Sequence, residues 1–201
     1  MSLPSEVSRE TRERLQEFAA LLKTWNERIN LIARGDVAAI WDRHIEDSLQ
    51  VLDCSPTSPT HWLDIGTGGG FPGLVVAIAN IDLAPATRHT LIESDKRKAA
   101  FLMTAANHLD AKVTVLPVRS ESAPPQAADV ISSRAFAPLI DLCTHLERHL
   151  SPGGTALLLK GETAPEEIAA ARKRWTFDCI QHKSRTNHRA TILQISGLKR
   201  D

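Results

Sequence analysis

A chain of 201 residues is long enough for one domain with a substantial core and a modest extension. Its 42% apolar and 24% charged residues exclude a fibrous or disordered chain. Lys plus Arg and Asp plus Glu number 24 each, so the formal charge is zero, yet eight of the basic residues lie between Arg172 and Arg200 beside one acid, Asp178.

Leu15, Phe18, Leu22, Trp25, Ile29 and Ile32 recur at alternating steps of three and four, which predicts one apolar stripe of a helix ending before Gly35. Asp36 is placed to cap a second helix reaching Leu52, and the Ser, Thr and Pro residues of 54–60 read as a loop. The expected division is therefore a helical extension over 1–55 and a larger domain over 56–201. From there the pattern alternates. Strands are expected over 62–65, 89–93, 112–116, 129–132 and 155–159, and helices over 73–80, 96–109, 138–150 and 165–175. Two final strands, 177–184 and 190–196, leave no room for a helix between them. Such alternation predicts an α/β fold, a doubly wound and mostly parallel sheet with an antiparallel C-terminal edge.

Three widely spaced cysteines, Cys54, Cys143 and Cys179, form neither a disulfide framework nor a metal-binding pair, so no metal site is expected. No apolar run approaches the ~18 residues of a membrane span, and the polar N-terminus does not read as a secretory signal. These features fit a cytoplasmic protein away from membranes.

The strongest motif is Leu63-Asp64-Ile65-Gly66-Thr67-Gly68-Gly69-Gly70-Phe71-Pro72-Gly73. A buried strand ends beside an acid, and glycines then carry the chain into a helix, which lets backbone approach a ligand closely. A Cβ at Gly66 is expected to enter the ligand's space. Glu93, ending the second strand, can accept both hydroxyls of a ribose. Together they predict a nucleoside-type cofactor. Gly68, Gly70 and Gly73 also match the dinucleotide fingerprint. The glycine that directly follows the strand is Gly66, however, and its own fingerprint places Phe71 where pyrophosphate would lie. Asp64 would repel phosphates as well. S-adenosylmethionine, cationic and without phosphate, fits better than NAD; a purely structural turn is the third reading. Glu121, after the third strand, is either an acceptor for an adenine amino group or a solvated loop acid. Arg134, ending the fourth strand, serves the cofactor, a substrate phosphate or a structural ion pair. Arg43, His44, Asp47 and Ser48 share one helix, where an Arg43–Asp47 pair and a packed histidine are expected unless the helix covers the cofactor mouth. Lys96, Arg97 and Lys98 open a helix, either as a polyanion contact or as a solvated face capped by Ser94 or Asp95.

No cysteine follows a proline, so the thiolate route to cytosine C5 is not indicated, and Arg134-Ala135-Phe136-Ala137-Pro138 stands where amino-nitrogen methylases carry Pro-Pro-aromatic. An acceptor with a free lone pair and no proton to lose, such as guanine N7, needs neither device. Trp25-Asn26 with Asn30-Leu31, Arg43-His44-x-x-Asp47-Ser48, the glycine-rich motif, Ser133-Arg134-Ala135-Phe136-Ala137 and Leu159-Lys160-Gly161 resemble, in order, the bacterial 16S ribosomal RNA guanine-N7 methyltransferase family, also called glucose-inhibited division protein B. The resemblance runs from about Trp25 to the C-terminus. It implies a class I methyltransferase fold and methylation of one guanine in the decoding region of the small subunit, with S-adenosylmethionine as donor. It carries cofactor roles to Gly66, Phe71, Ser120, Glu121 and Arg134, to which the residue reading adds Gly68 and Glu93. The family often has Pro at Gly69 and Leu at Phe71, and the loop from Glu121 to Arg134 is slightly short. Lys160, Arg185, His188 and Arg189 are the candidates for RNA contact, drawn largely from the basic tail. No acid or base catalyst is expected, and the partner is 16S rRNA or the small subunit, met by a monomer. The rival readings are a nicotinamide-dependent oxidoreductase and a non-catalytic RNA- or ribosome-binding module.

Overall fold

The computed structural model describes residues 7–201. The first six residues of the polar N-terminus, and of the expected 1–55 extension, lie outside the described residues.

Seven strands form one sheet in the order β3-β2-β1-β4-β5-β7-β6. These are β1 (His61–Ile65), β2 (Arg88–Ile92), β3 (Val113–Leu116), β4 (Ala128–Arg134), β5 (Leu150–Lys160), β6 (Trp175–Lys183) and β7 (Thr191–Arg200). The first five in the sheet run parallel, and β7 pairs antiparallel with both β5 and β6. This is the doubly wound, mostly parallel sheet with an antiparallel C-terminal edge expected from the alternation. β1 is flanked by β2 on one side and β4 on the other. The order of strands reverses there, which opens a crevice at their carboxyl ends.

Helices cover both faces. On one side lie α3 (Gly73–Leu83) and α4 (Lys96–His108), and on the other α5 (Leu139–His149) and α6 (Ala164–Ala171). α1 (Arg9–Asn26) adds its stripe to the first side. Leu15, Phe18 and Leu22 are fully buried there, with the Phe18 ring 5.6 Å from Phe71 and 6.3 Å from Phe101. The extension thus shares one core with α3 and α4. Its N-cap is Ser8, whose hydroxyl accepts from Thr11 N.

Three helical segments differ from the sequence pattern, and β5 and β7 run several residues beyond the expected 155–159 and 190–196. α1 ends at Asn26, not near Ile32. The Asn26 side chain takes the amides of Leu31 and Ile32 at 2.8 and 3.0 Å, satisfying in a tight turn the groups that a helix would have paired. Leu31 and Ile32 are buried all the same, so the apolar spacing survives while the helix does not. The expected second helix is a composite: a 3₁₀ turn Arg34–Ala39, a π turn Trp41–Glu46, the short α2 (Asp47–Leu49) and a 3₁₀ turn Gln50–Cys54. A bond from Trp41 Nε1 to Glu46 Oε1, five residues on, spans the wide turn. α6 stops at Ala171, and Trp175 instead begins β6, buried beneath the Arg200 guanidinium at 4.6 Å. Among the described residues no helix is long and apolar enough to cross a membrane.

Asn26→Ala removes the one oxygen that accepts both turn amides while leaving α1 intact. Its expected cost is about 1–2 kcal/mol, read as a lowered urea midpoint at unchanged m-value.

Candidate functional site

At the crevice lies a cavity of about 340 Å³, lined by the glycine turn after β1, the end of β2, the turn after β3 and the end of β4. Gly66 N and Thr67 N donate to Ile92 O at 2.9 and 3.3 Å, which ties the glycine turn to β2. Gly66 has φ of +69°, a conformation that a side chain disfavours. A Cβ there would stand 2.2 Å from Phe136 Cδ2, so it meets that ring before it reaches any ligand space. At Gly73 a Cβ would lie 2.4 Å from Asp64 Cβ, so α3 packs against β1 only because this position is bare.

Glu93 is almost wholly buried at the end of β2. Its Oε2 accepts from Gly68 N at 2.8 Å and its Oε1 from Asp95 N at 2.7 Å. One carboxylate thus holds the glycine turn and the entry to α4 together beside the cavity. Asp95 in turn accepts from Arg97 N and Lys98 N, the cap that the basic opening of α4 calls for. Ser120 and Glu121 sit in a short 3₁₀ turn, Ser120 buried with its hydroxyl 3.3 Å from His149 Nε2, and Glu121 exposed. All seven residues expected at the cofactor line this one cavity: Gly66, Gly68, Phe71, Glu93, Ser120, Glu121 and Arg134.

Asp64 does not line it. This carboxylate is fully buried beneath the turn, accepting from Ser132 Oγ at 2.5 Å, which in turn accepts from Trp62 Nε1 at 2.8 Å. Burial pushes its pKa up to about 6.

The composite segment 34–54 backs the cavity through His44, which packs on the lining residue Phe71. The His44 ring stacks on Phe71 with centroids 4.9 Å apart, and the Arg134 guanidinium lies 5.0 Å from the centroid of the same Phe71 ring. Arg134 Nη2 is 2.6 Å from His44 Nδ1. A guanidinium only donates, so Nδ1 accepts and the ring proton sits on Nε2, 3.4 Å from Asp36 Oδ2. Arg134 also donates to Arg43 O at 3.2 Å and faces Asp47 at 3.8 Å. The expected Arg43–Asp47 pair is absent from this arrangement. Arg43 pairs with Asp36, and Asp47 takes Arg134 and the hydroxyl of Thr186.

The basic tail is engaged by acids from elsewhere. Arg185 pairs with Asp53 at 2.7 Å and Arg189 with the exposed Glu162 at 2.9 Å. Lys160 is nearly buried, 2.8 Å from Glu167 and 2.7 Å from Ala137 O, while His188 is exposed on the β6–β7 loop. Sequence reasoning gave no cofactor role to Leu31, Lys98, Val118 or Phe136, which also line the cavity. For Phe136 the signal was present: a lone aromatic two residues past a strand-ending arginine, flanked by alanines in the turn before Pro138.

The family model for rRNA small subunit methyltransferase G matches residues 11–195. The chain belongs to that family. Its match begins inside α1, further upstream than the motifs near Trp25, so the helical extension is part of the family's pattern. Among the family's curated members, the ribosomal RNA small subunit methyltransferase G of Ruegeria sp. (strain TM1040) is 49% identical over 199 residues, covering 99% of this chain and 97% of the relative. That of Gluconobacter oxydans (strain 621H) is 45% identical over 194 residues, covering 96% and 97%. A solved SAM-dependent methyltransferase from Aquifex aeolicus shares the fold, with a TM-score of 0.60 at 14% identity over 90% of this chain and 97% of that one.

Two buried histidines carry a pH dependence. Burial, reinforced by the Arg134 charge, pulls His44 down to about 4, and burial does the same to His89. As pH falls below 6.5 the unfolded chain takes up these protons first, so stability is intact above 6.5 and drains towards 4. Asp64, at about 6 folded, opposes this between pH 6 and 4 because its folded form binds the proton more readily. Two histidines outweigh one carboxylate. Each histidine shift is worth up to about 3 kcal/mol. Urea unfolding at pH 7 and pH 4.5 should show lower stability at pH 4.5, with a smaller difference in His44→Asn.

Proposed function

We propose that this protein transfers a methyl group from S-adenosylmethionine to N7 of a guanine in 16S ribosomal RNA. The observation that carries the reading is the single cavity at the strand switch point, where the glycine turn, the Glu93 carboxylate and Arg134 converge. The donor supplies a methyl group on a cationic sulfur. Glu93 accepts the ribose hydroxyls with the lone pairs that Gly68 N and Asp95 N leave free. Glu121 receives the adenine amino group, and Ser120 and Gly68 shape the nucleoside end. Phe71 argues against a nicotinamide dinucleotide. Its ring, buried and packed against both His44 and Arg134, stands where a pyrophosphate would need open backbone amides, and Pro72 at the α3 N-terminus has no amide hydrogen to offer. Guanine N7 has a lone pair and no proton to lose, so the protein's contribution is positioning and electrostatics. Lys160, Arg185, His188 and Arg189 border the RNA path, of which His188 and Arg189 are the most open to solvent. One chain completes the cavity from its own residues, in keeping with a cytoplasmic monomer acting on the small subunit.

The deciding experiment incubates the protein and labelled S-adenosylmethionine with small subunits that lack the modification, then digests the RNA to nucleosides. Labelled 7-methylguanosine supports the reading. No transfer, with cofactor still bound, favours the non-catalytic module.

Glu93→Ala should weaken S-adenosylmethionine binding by about ten- to a hundred-fold in calorimetry. It should also lose the parent's preference for the donor over its 2′-deoxy analogue. Retained preference would assign Glu93 to the Gly68 turn alone.

Arg189→Ala should flatten the log–log salt dependence of RNA binding by roughly 0.7–0.9. Thermal stability should hold, because an exposed ion pair such as Arg189–Glu162 contributes little.

A further inference from the structure

Next to the first cavity lies a second, of about 420 Å³, and the two share Arg134, Ala135 and Phe136 as a common wall. The far side of the second cavity is formed by Leu159, Ala190 and Ile192, at the ends of β5 and β7 and on the β6–β7 loop. We infer that this second cavity receives the acceptor base, a purine turned out of its RNA strand, and that Phe136 is the ring on which the base stacks. The inference rests on the proposed methyl transfer and deepens it.

Three observations point the same way. Phe136 is 38% exposed, whereas Phe18, Phe71 and Phe101 are buried, and its one aromatic neighbour, His145, meets it edge-on at 5.2 Å and 76°. More than a third of Phe136 therefore stays accessible at the wall between the two cavities. Ala135 has φ of +49°, a left-handed conformation rare for a residue with a Cβ. Such strain persists where surrounding structure enforces it, and here it turns the chain sharply out of β4 so that the next residue stands over Gly66. Finally, Glu93, Ser120 and Glu121 line the first cavity only, so a donor held there by its nucleoside extends its other end towards Arg134 and Phe136. The methyl group then lies at the shared wall.

The chemistry suits this arrangement. The N7 lone pair lies in the plane of the purine, so the base must meet the methyl group edge-on, which leaves its faces free to stack. As the lone pair forms the bond to the methyl carbon, the bond from that carbon to sulfur breaks and its electron pair stays on sulfur. The positive charge passes from sulfur to the purine, and no proton moves. An aromatic ring holds any base by its face, and base–aromatic stacking is sequence-tolerant. It fixes geometry here without reading the base edge.

Phe136→Leu keeps the apolar packing on Gly66 but removes the aromatic face, and Phe136→Trp restores it. With small subunits lacking the modification as acceptor, Phe136→Leu should lower kcat/KM for the RNA by about ten- to a hundred-fold. Calorimetric affinity for S-adenosylmethionine should stay within about threefold, and Phe136→Trp should recover most of the activity. Ala190→Trp, which fills the second cavity from its far wall, should abolish transfer while the donor still binds. Unchanged kcat/KM in Phe136→Leu overturns the proposal, and so does a loss matched by an equal loss of donor affinity. Full activity in Ala190→Trp overturns it too. The wild-type product reports separately on the reaction: a methyl on an atom other than guanine N7 overturns the proposed chemistry and leaves the stacking result standing.

Discussion

Glu93 joins the two turns from which the cavity is built. Its oxygens accept from Gly68 N at one side and Asp95 N at the other, so the loop after β1 and the loop after β2 share one anchor. Both amides would otherwise be orphan donors next to a polar cavity, and charge-assisted bonds to a nearly buried carboxylate are the strong kind. The anchor is also a ligand group in the proposed reading. Shape and recognition at the nucleoside end therefore depend on the same side chain.

Beneath that turn the packing is tight. Gly73 brings α3 against β1 at the level of Asp64, and Asp64, Ser132 and Trp62 form a buried chain of bonds between β1 and β4. The paired strands place Asp64 opposite Ser132, so strand register itself makes the contact. A buried carboxylate that keeps a partner is tolerable, and its pKa near 6 reflects the desolvation that remains. These groups stiffen the floor of the site without facing it.

The roof comes from the N-terminal segment. His44 packs on Phe71 and accepts from Arg134, and Asp36 and Asp47 complete the polar surround. Gln50 and Asp47 also hold the β6–β7 loop, through Arg185 N at 2.6 Å and Thr186 Oγ1 at 2.9 Å. The extension therefore links the cofactor side of the site to the loop that walls the second cavity. A helical preface that looked like an appendage is part of the site's frame.

By itself the sequence determined the α/β alternation, the glycine turn after β1, the acid ending β2 and the arginine ending β4. These are local: period, turn chemistry and strand ends are written in neighbouring residues. It also determined the family, because several spaced motifs occur in one order. It misjudged where α1 stops, because the Asn26 side chain competes with the helix for two amides. It took 36–52 for one helix, since apolar spacing does not distinguish π and 3₁₀ turns from α. Only the tertiary structure decided that Asp64 lies under the turn rather than in the cavity. The same holds for Phe136 covering Gly66, and for Arg185 and Arg189 finding acids from distant parts of the chain. Each depends on which strands neighbour one another and which segments fold back over them, and no run of adjacent residues encodes that.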